Sequence, residues 1–148
     1  MQNHLSLMHR ASLDSGLVDF CRANSIDFYS YMVLEQGALT GRFDAAHPMP
    51  SKSGRGAFYN SHWEEIAPLM AAIRAIAQKH GATPSQIAAR WAIEKGTIPI
   101  LGVTKVRHVE EAAGLAALKL DAEDMAQLDH AAAHMKVKTL REWETPED

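Results

Sequence analysis

The sequence predicts an α/β chain built on a parallel sheet, and three observations carry that prediction. Short runs rich in β-branched and aromatic residues, at 26–31 and 97–103, stand apart from longer segments whose apolar residues recur at helical spacing. Helices lie between the strand runs, so the strands must run parallel and need cover on both faces. Only two full strands and one N-terminal stub are visible. That is too little sheet for a self-sufficient doubly wound domain, and the chain reads as a piece of a larger one.

The length of 148 residues sets an expectation of one unit over 1–148. Apolar residues make up 47% and charged residues 22%, enough for a core and a soluble surface, which excludes a disordered or collagen-like chain. Fifteen Lys and Arg against 18 Asp and Glu leave a net charge of −3, so no global field recruits nucleic acid or a membrane. The single Cys21 has no internal disulfide partner, and no long apolar run or leader pattern occurs. A reducing, cytoplasmic setting is therefore expected.

Residues 1–7 form a stub that looks entered midway. Ser12 is the expected N-cap of a first helix carrying Leu13, Leu17, Val18 and Cys21 on one face and ending near Asn24. Ile26, Phe28, Tyr29 and Tyr31 then read as a strand. From Met32 to about Ser61 no period holds, and Gly37, Gly41, Pro48, Pro50, Gly54 and Gly56 mark a long loop of the functional-lid kind. Within it, Ser51-Lys52-Ser53-Gly54-Arg55-Gly56 has the composition of a phosphate cradle without the glycine spacing of a P-loop, and reads as a mobile basic loop.

Ser61 and Glu64 suggest a capping box ahead of Trp63, Ile66, Met70, Ile73 and Ala77, with Pro68 either kinking that helix or lying near its start. Thr83-Pro84-Ser85-Gln86 is the sharper start signal, and its helix turns Ile87, Trp91 and Ala92 inward before stopping at Gly96. Pro99 is tolerable early in the next strand, which Gly102 ends. Val109, Ala112, Ala113, Ala116 and Ala117 form a small-residue face suited to close core packing. Asp121 caps a last helix to about His134, with Leu120 and Met125 placed as a hydrophobic staple. The tail from Lys136 to Asp148 lacks a period and is expected on the surface.

Ligands of parallel α/β folds bind at the carboxyl ends of strands. That rule selects Gln2-Asn3, Ser30-Tyr31 with its following loop, and Gly102-Val103-Thr104-Lys105. An amide, an aromatic ring and a Gly-x-Thr-Lys turn opening a helix suit a stacked amide-bearing ring and a phosphate. Ordinary packing for Tyr31 and a solvated charge for Lys105 stand beside that reading. His130 and His134 have the i, i+4 spacing of metal ligands, but no third ligand is evident, so a surface pair is expected and no metal. Cys21 reads as a packed core residue rather than a nucleophile.

Four segments in order resemble the C-terminal half of an aldo-keto reductase. They are Gln2-Asn3-His4-Leu5-Ser6-Leu7-Met8-His9-Arg10; Phe28-Tyr29-Ser30-Tyr31 through Leu34-Glu35-Gln36-Gly37 to Thr40-Gly41; Thr83-Pro84-Ser85-Gln86-Ile87-Ala88; and Ile98-Pro99-Ile100-Leu101-Gly102-Val103-Thr104-Lys105 through Glu110-Glu111. The resemblance runs from Gln2 to about Asp129. It implies a partial (β/α)8 TIM barrel, from the end of strand 6 through strand 8 and the C-terminal helices, against the roughly 250 residues of a full barrel.

The same resemblance implies carbonyl reduction with NADPH, NADH being the alternative. Gln2 matches the residue that hydrogen-bonds the nicotinamide carboxamide, and Tyr31 the aromatic stacked on the nicotinamide ring. Leu34, Gln36 and Thr40 lie in the loop over the pyrophosphate. Gly102, Thr104, Lys105 and His108 match the turn and helix start at the 2′-phosphate, and Glu111 the acid near the adenine amino group. The family often has Asn after that Glu and a second basic residue at the position of His108. Ala112 and His108 stand there instead, with Lys105 and Arg107 supplying charge.

The family's catalytic Tyr, Lys, Asp and His precede the strand that ends at Gln2, so no catalytic residue is assigned and no turnover is expected from the chain alone. Three readings follow: the cofactor-binding part of a reductase acting on small carbonyl substrates; a half-barrel that assembles with a missing half or with itself; and a non-enzymatic nucleotide-binding remnant. The isolated monomer is expected to be marginally stable or to aggregate.

Overall fold

A computed structural model describes residues 1–139. Three parallel strands, β1 (Gln2–His4), β2 (Tyr29–Tyr31) and β3 (Ile98–Pro99), lie in that order, with Gln2 opposite Tyr29, and Tyr29 opposite Ile98. The strands are shorter than the runs at 26–31 and 97–103, because pairing stops where the flanking backbone turns away toward helices.

Between β1 and β2 the expected single helix is two, α1 (Ala11–Asp14) and α2 (Leu17–Ala23). Gly16 breaks them apart in the left-handed region at φ 76°. Ser12 is not an N-cap: it is buried inside α1, and its hydroxyl donates to the carbonyl of His4 at 3.4 Å. Cys21 is buried on α2, as expected.

The long segment after β2 is more ordered than its composition suggested. A kinked 3-10 segment (Glu35–Thr40) follows β2, and α3 (Gly54–Tyr59) begins inside the stretch read as a mobile basic loop. Ser53 caps α3 by accepting from the Gly56 amide, and Asn60 closes the intervening loop with two hydrogen bonds to the Met49 backbone.

The helix α4 (Trp63–His80) starts at Trp63 with His62 at its N-cap and no side-chain cap. The Ser61–Glu64 box is absent because the Ser61 hydroxyl donates instead to Phe58. Pro68 sits exposed near the start, and the helix continues through it. In α5 (Pro84–Glu94) the Thr83–Gln86 capping box forms as expected, and Ile87, Trp91 and Ala92 are buried. The final helix, α7 (Ala122–Ala133), has its N-cap at Asp121, with a reciprocal bond between Asp121 and Asp124 forming a capping box.

The core lies on one face of the sheet, where Leu5, Phe28, Ile73, Ile76, Ile87, Trp91 and Leu128 pack among α2, α4, α5 and α7. Asp129 ties this layer together, accepting from Trp91 Nε1 at 3.0 Å and pairing with Lys95 and Arg10. At the N-terminal end of α7, Lys79 Nζ lies 2.8 Å from both Asp121 and Asp124, and His80 bonds Asp124 at 2.7 Å. The Lys79 hydrogen bond holds the Asp121 carboxyl down at about 2. Burial raises Asp124, but its bonds from Lys79 and His80 outweigh that and leave it below the usual carboxylate value.

The other face of the sheet is open along the row of Gln2, Tyr29 and Ile98, although His4 further along β1 is buried. Tyr29, Ile98 and Ile100 are 40 to 44% exposed, and Gln2 shares their exposed row. Parallel sheets are ordinarily covered on both sides. The alanine-rich face also departs from expectation: α6 (Val106–Gly114) contains no buried residue, and Ala113, Ala116 and Ala117 are exposed. Small side chains permit close packing, but nothing among the described residues packs there. Of the tail, Val137 and Thr139 are buried rather than on the surface, and 140–148 lie outside the described residues.

Candidate functional site

A cavity of about 1060 Å³ opens at the carboxyl ends of β2 and β3. One wall is the segment 32–43, the floor is the N-terminus of α5 from Thr83 to Gln86, and the opposite wall is the 100–103 turn with the first turns of α6. The sequence makes the first wall by unusual backbone. Met32, Glu35 and Gln36 take positive φ of 60°, 47° and 53°, alongside Gly37 at 104° and Gly41 at 74°. Each such non-glycine residue costs on the order of 1 kcal/mol, which persists only where surroundings over-determine it. Gly41 provides the close approach: a Cβ there would lie 2.9 Å from Pro84 Cγ.

Seven of the ten sequence-predicted site residues meet in this cavity: Leu34, Gln36, Thr40, Gly102, Lys105, His108 and Glu111. Thr40 is fixed by donating to the Gly37 carbonyl at 2.7 Å. His108 Nδ1 accepts from the Thr104 amide at 3.3 Å, which leaves the ring proton on Nε2. Thr104 thus shapes the turn without lining the cavity. Gln2 is exposed on β1, and Tyr31 is half-buried on β2, its ring stacked 5.5 Å from His4. Neither lines the cavity: Gln2 lies opposite Tyr29 in the sheet, and Tyr31 lies opposite His4, next in the chain to the cavity-lining Met32.

The site includes residues that the sequence reading did not select. Arg42 and Arg55 both line the cavity and both approach the Phe43 ring, at 5.2 and 5.8 Å from its centroid. Arg55 also donates to the Gln36 carbonyl at 3.2 Å, joining α3 to the first wall. The available signal was the basic glycine-containing stretch around Arg55. Its content was right, but its placement depended on α3 folding back over Gln36. Arg42, Arg55, Lys105 and Arg107 make no ion pair among the described residues, and Glu111 is the one acidic residue in the lining. The cavity is therefore cationic and fits a polyanionic ligand.

Behind the first wall lies a buried polar cluster, also missed in sequence because its members are 24 to 31 residues apart. Glu35 is fully buried, and His4 nearly so. The carboxylate meets His4 Nε2 at 2.9 Å, accepts from the Ser6 hydroxyl on the same oxygen, and accepts from the Tyr59 hydroxyl at 2.7 Å on the other. Three donors are what a buried carboxylate needs. Elsewhere, His130 and His134 are exposed with rings 4.5 Å apart, and His134 Nδ1 donates to the His130 carbonyl. No group of three potential metal ligands gathers among the described residues, and no helix there is long and apolar enough to cross a membrane.

Comparison with known proteins places this geometry in a wider setting. The aldo/keto reductase family profile matches residues 1–133. The chain is 34% identical to the chloroplastic pyridoxal reductase of Arabidopsis thaliana over 131 residues, covering 88% of this chain and 35% of that protein. It shares its fold with part of the glycerol dehydrogenase of Gluconobacter oxydans, with a TM-score of 0.79 at 20% identity over 99% of this chain and 44% of that one. A mutant of Gox0644 solved with NADPH has a TM-score of 0.59 at 21% identity, over 88% of this chain and 36% of that one. The chain thus spans less than half the length of these relatives. By the family match over nearly its whole length, the chain belongs to the aldo/keto reductase family.

Proposed function

We propose that the chain is the cofactor-holding part of an NADPH-dependent carbonyl reductase, with its three strands as the end of strand 6 through strand 8 of a (β/α)8 barrel. The observation that carries this reading is the cationic cavity, where four basic side chains that make no ion pair among the described residues line the space with one acidic residue, beside the Leu34–Thr40 segment. In this reading Lys105, Arg107 and His108 hold the 2′-phosphate, and Glu111 lies by the adenine. Arg42 and Arg55 offset the pyrophosphate charge beneath Leu34, Gln36 and Thr40. Gln2 bonds the carboxamide and Tyr31 stacks on the nicotinamide. When bound, the cofactor supplies the hydride. The proton donor to the carbonyl oxygen comes from family strands that precede β1, so the chain's own residues bind and orient without completing the reaction.

Fluorescence titration with NADPH, run beside a carbonyl-reduction assay on the purified chain, tests this. The expected result is saturable binding, weakened by Tyr31→Ala, without turnover. Turnover by the chain alone sinks the division of labour, and absence of binding sinks the cofactor reading.

A second reading is favoured by the open row on that sheet face. Tyr29, Ile98 and Ile100 are apolar surface on a parallel sheet whose edges at β1 and β3 are unpaired among the described strands. This is the surface that the remaining strands of a barrel would cover. Co-expression with a chain carrying the preceding family strands should then yield a co-purifying complex with reductase activity. A stable, monodisperse monomer that ignores that chain counts against it.

A further inference from the structure

The Glu35 cluster has no part in the cofactor grip just described, yet it reaches Tyr31 through His4 and carries the 34–40 segment. Oε1 of Glu35 faces His4 Nε2 at 2.9 Å and Oε2 takes the Tyr59 hydroxyl at 2.7 Å, with Ser6 completing the set. An ionised carboxylate only accepts, so His4 must present a protonated Nε2 toward it, which fixes both the tautomer and the plane of the ring. That ring is stacked on Tyr31 at 5.5 Å and 26°, and on His9 at 4.0 Å and 15°. Glu35 also belongs to the left-handed pair Glu35-Gln36, so its side chain pins the backbone from which Leu34, Gln36 and Thr40 enter the cavity. Through Tyr59 the same carboxylate reaches α3, which carries Arg55.

We propose that Glu35 is a positioning residue that holds Tyr31 and the 34–40 segment in one geometry, so that the nicotinamide and pyrophosphate half of the dinucleotide is gripped as a unit. This rests on the cofactor reading above. The adenosine end, at Lys105, Arg107, His108 and Glu111, lies on the opposite wall and makes no contact with the Glu35 cluster among the hydrogen bonds described. A group that merely supported the fold would affect both ends equally. Glu35 affects one.

The test uses the full chain and two probes, NADPH and adenosine 2′,5′-bisphosphate, which carries the adenine and 2′-phosphate but neither nicotinamide nor pyrophosphate. Glu35→Gln keeps the volume but cannot accept from three donors at once. It should weaken NADPH about tenfold, the scale of one charge-assisted hydrogen bond, and leave the bisphosphate within about twofold. Tyr59→Phe removes one donor and should show the same pattern at about threefold, which serves if Glu35→Gln folds poorly. In the proton–nitrogen spectrum of the imidazole rings, the His4 Nε2–H signal of the wild type should shift or vanish in Glu35→Gln. Equal NADPH affinity in wild type and both variants overturns the proposal, as does an equal loss for both probes. An unmoved His4 signal overturns the link to Tyr31 without reference to any cofactor. A wild-type chain that binds neither probe overturns the cofactor reading, and this proposal with it.

Discussion

On one side of the cavity the segment 34–43 is set among enclosed residues, with Glu35, Ala38 and Leu39 fully buried and Gly41 against Pro84. On the other, α6 buries none of its nine residues. Described hydrogen bonds from α5 reach it from Gln86 to the Glu111 carbonyl at 2.9 Å, and from Arg90 to the Leu115 carbonyl at its end, at 3.1 Å. α7 shows that position near the end of the chain is not the reason: it buries Asp124, Leu128 and Ala132 and is clamped by Lys79. The difference teaches where pre-organisation resides. A wall held by burial and strained backbone keeps its shape without ligand, whereas a wall with little buried surface opens locally at low cost. In the proposed function the first orients the reacting ring and the second closes on a phosphate. Val106 and Val109 on that second wall are exposed.

Leu39→Ala should break the first wall outright. It removes a fully buried side chain, and a loss of about 2–5 kcal/mol is expected in denaturant melts. A loss under about 1 kcal/mol would mean the wall is looser than its burial implies.

Gln86→Ala tests the tether of the second wall. It deletes the reciprocal half of the Thr83 capping box and the bond to Glu111, so about 1 kcal/mol of stability should go. Amide exchange should quicken mainly in α6. Equal acceleration in 34–43 would show the two walls to be coupled.

Lys79→Met sharpens the contrast between α6 and α7. Asp121, at about 2, and Asp124 are both held below the ordinary carboxylate value, so their contribution is present above about pH 4 and fades as pH falls toward 2. The wild-type advantage in thermal melts should therefore be seen at pH 6 and shrink toward pH 2. An advantage that grows on acidification contradicts the assignment. Smallest of all, Val109→Ser on the exposed face of α6 should change stability by less than about 0.5 kcal/mol, checked by the same melts.

The elements legible in the sequence were those with local causes. Thr83, Pro84 and Gln86 start α5 through contacts spanning three residues, and Asp121 starts α7 in the same way. The 34–40 wall and the Gly102–Lys105 turn were legible as cavity lining because their residues are contiguous. The break at Gly16 and the rival bond that diverts Ser61 were not, since spacing alone does not choose between competing local hydrogen bonds. Nor was the exposure of α6: an apolar stripe records what could be buried, and whether it is depends on what lies opposite.

By itself, the sequence determined the parallel βα order, the family and seven of the residues on the two walls, because each rests on short-range pattern. Only the tertiary structure decided that Arg55 folds back over Gln36 and that His4, Ser6, Glu35 and Tyr59 form one buried cluster. Those contacts join segments from β1, the 3-10 turn and α3. A buried carboxylate draws its donors from wherever packing brings them, and no spacing along the chain encodes that.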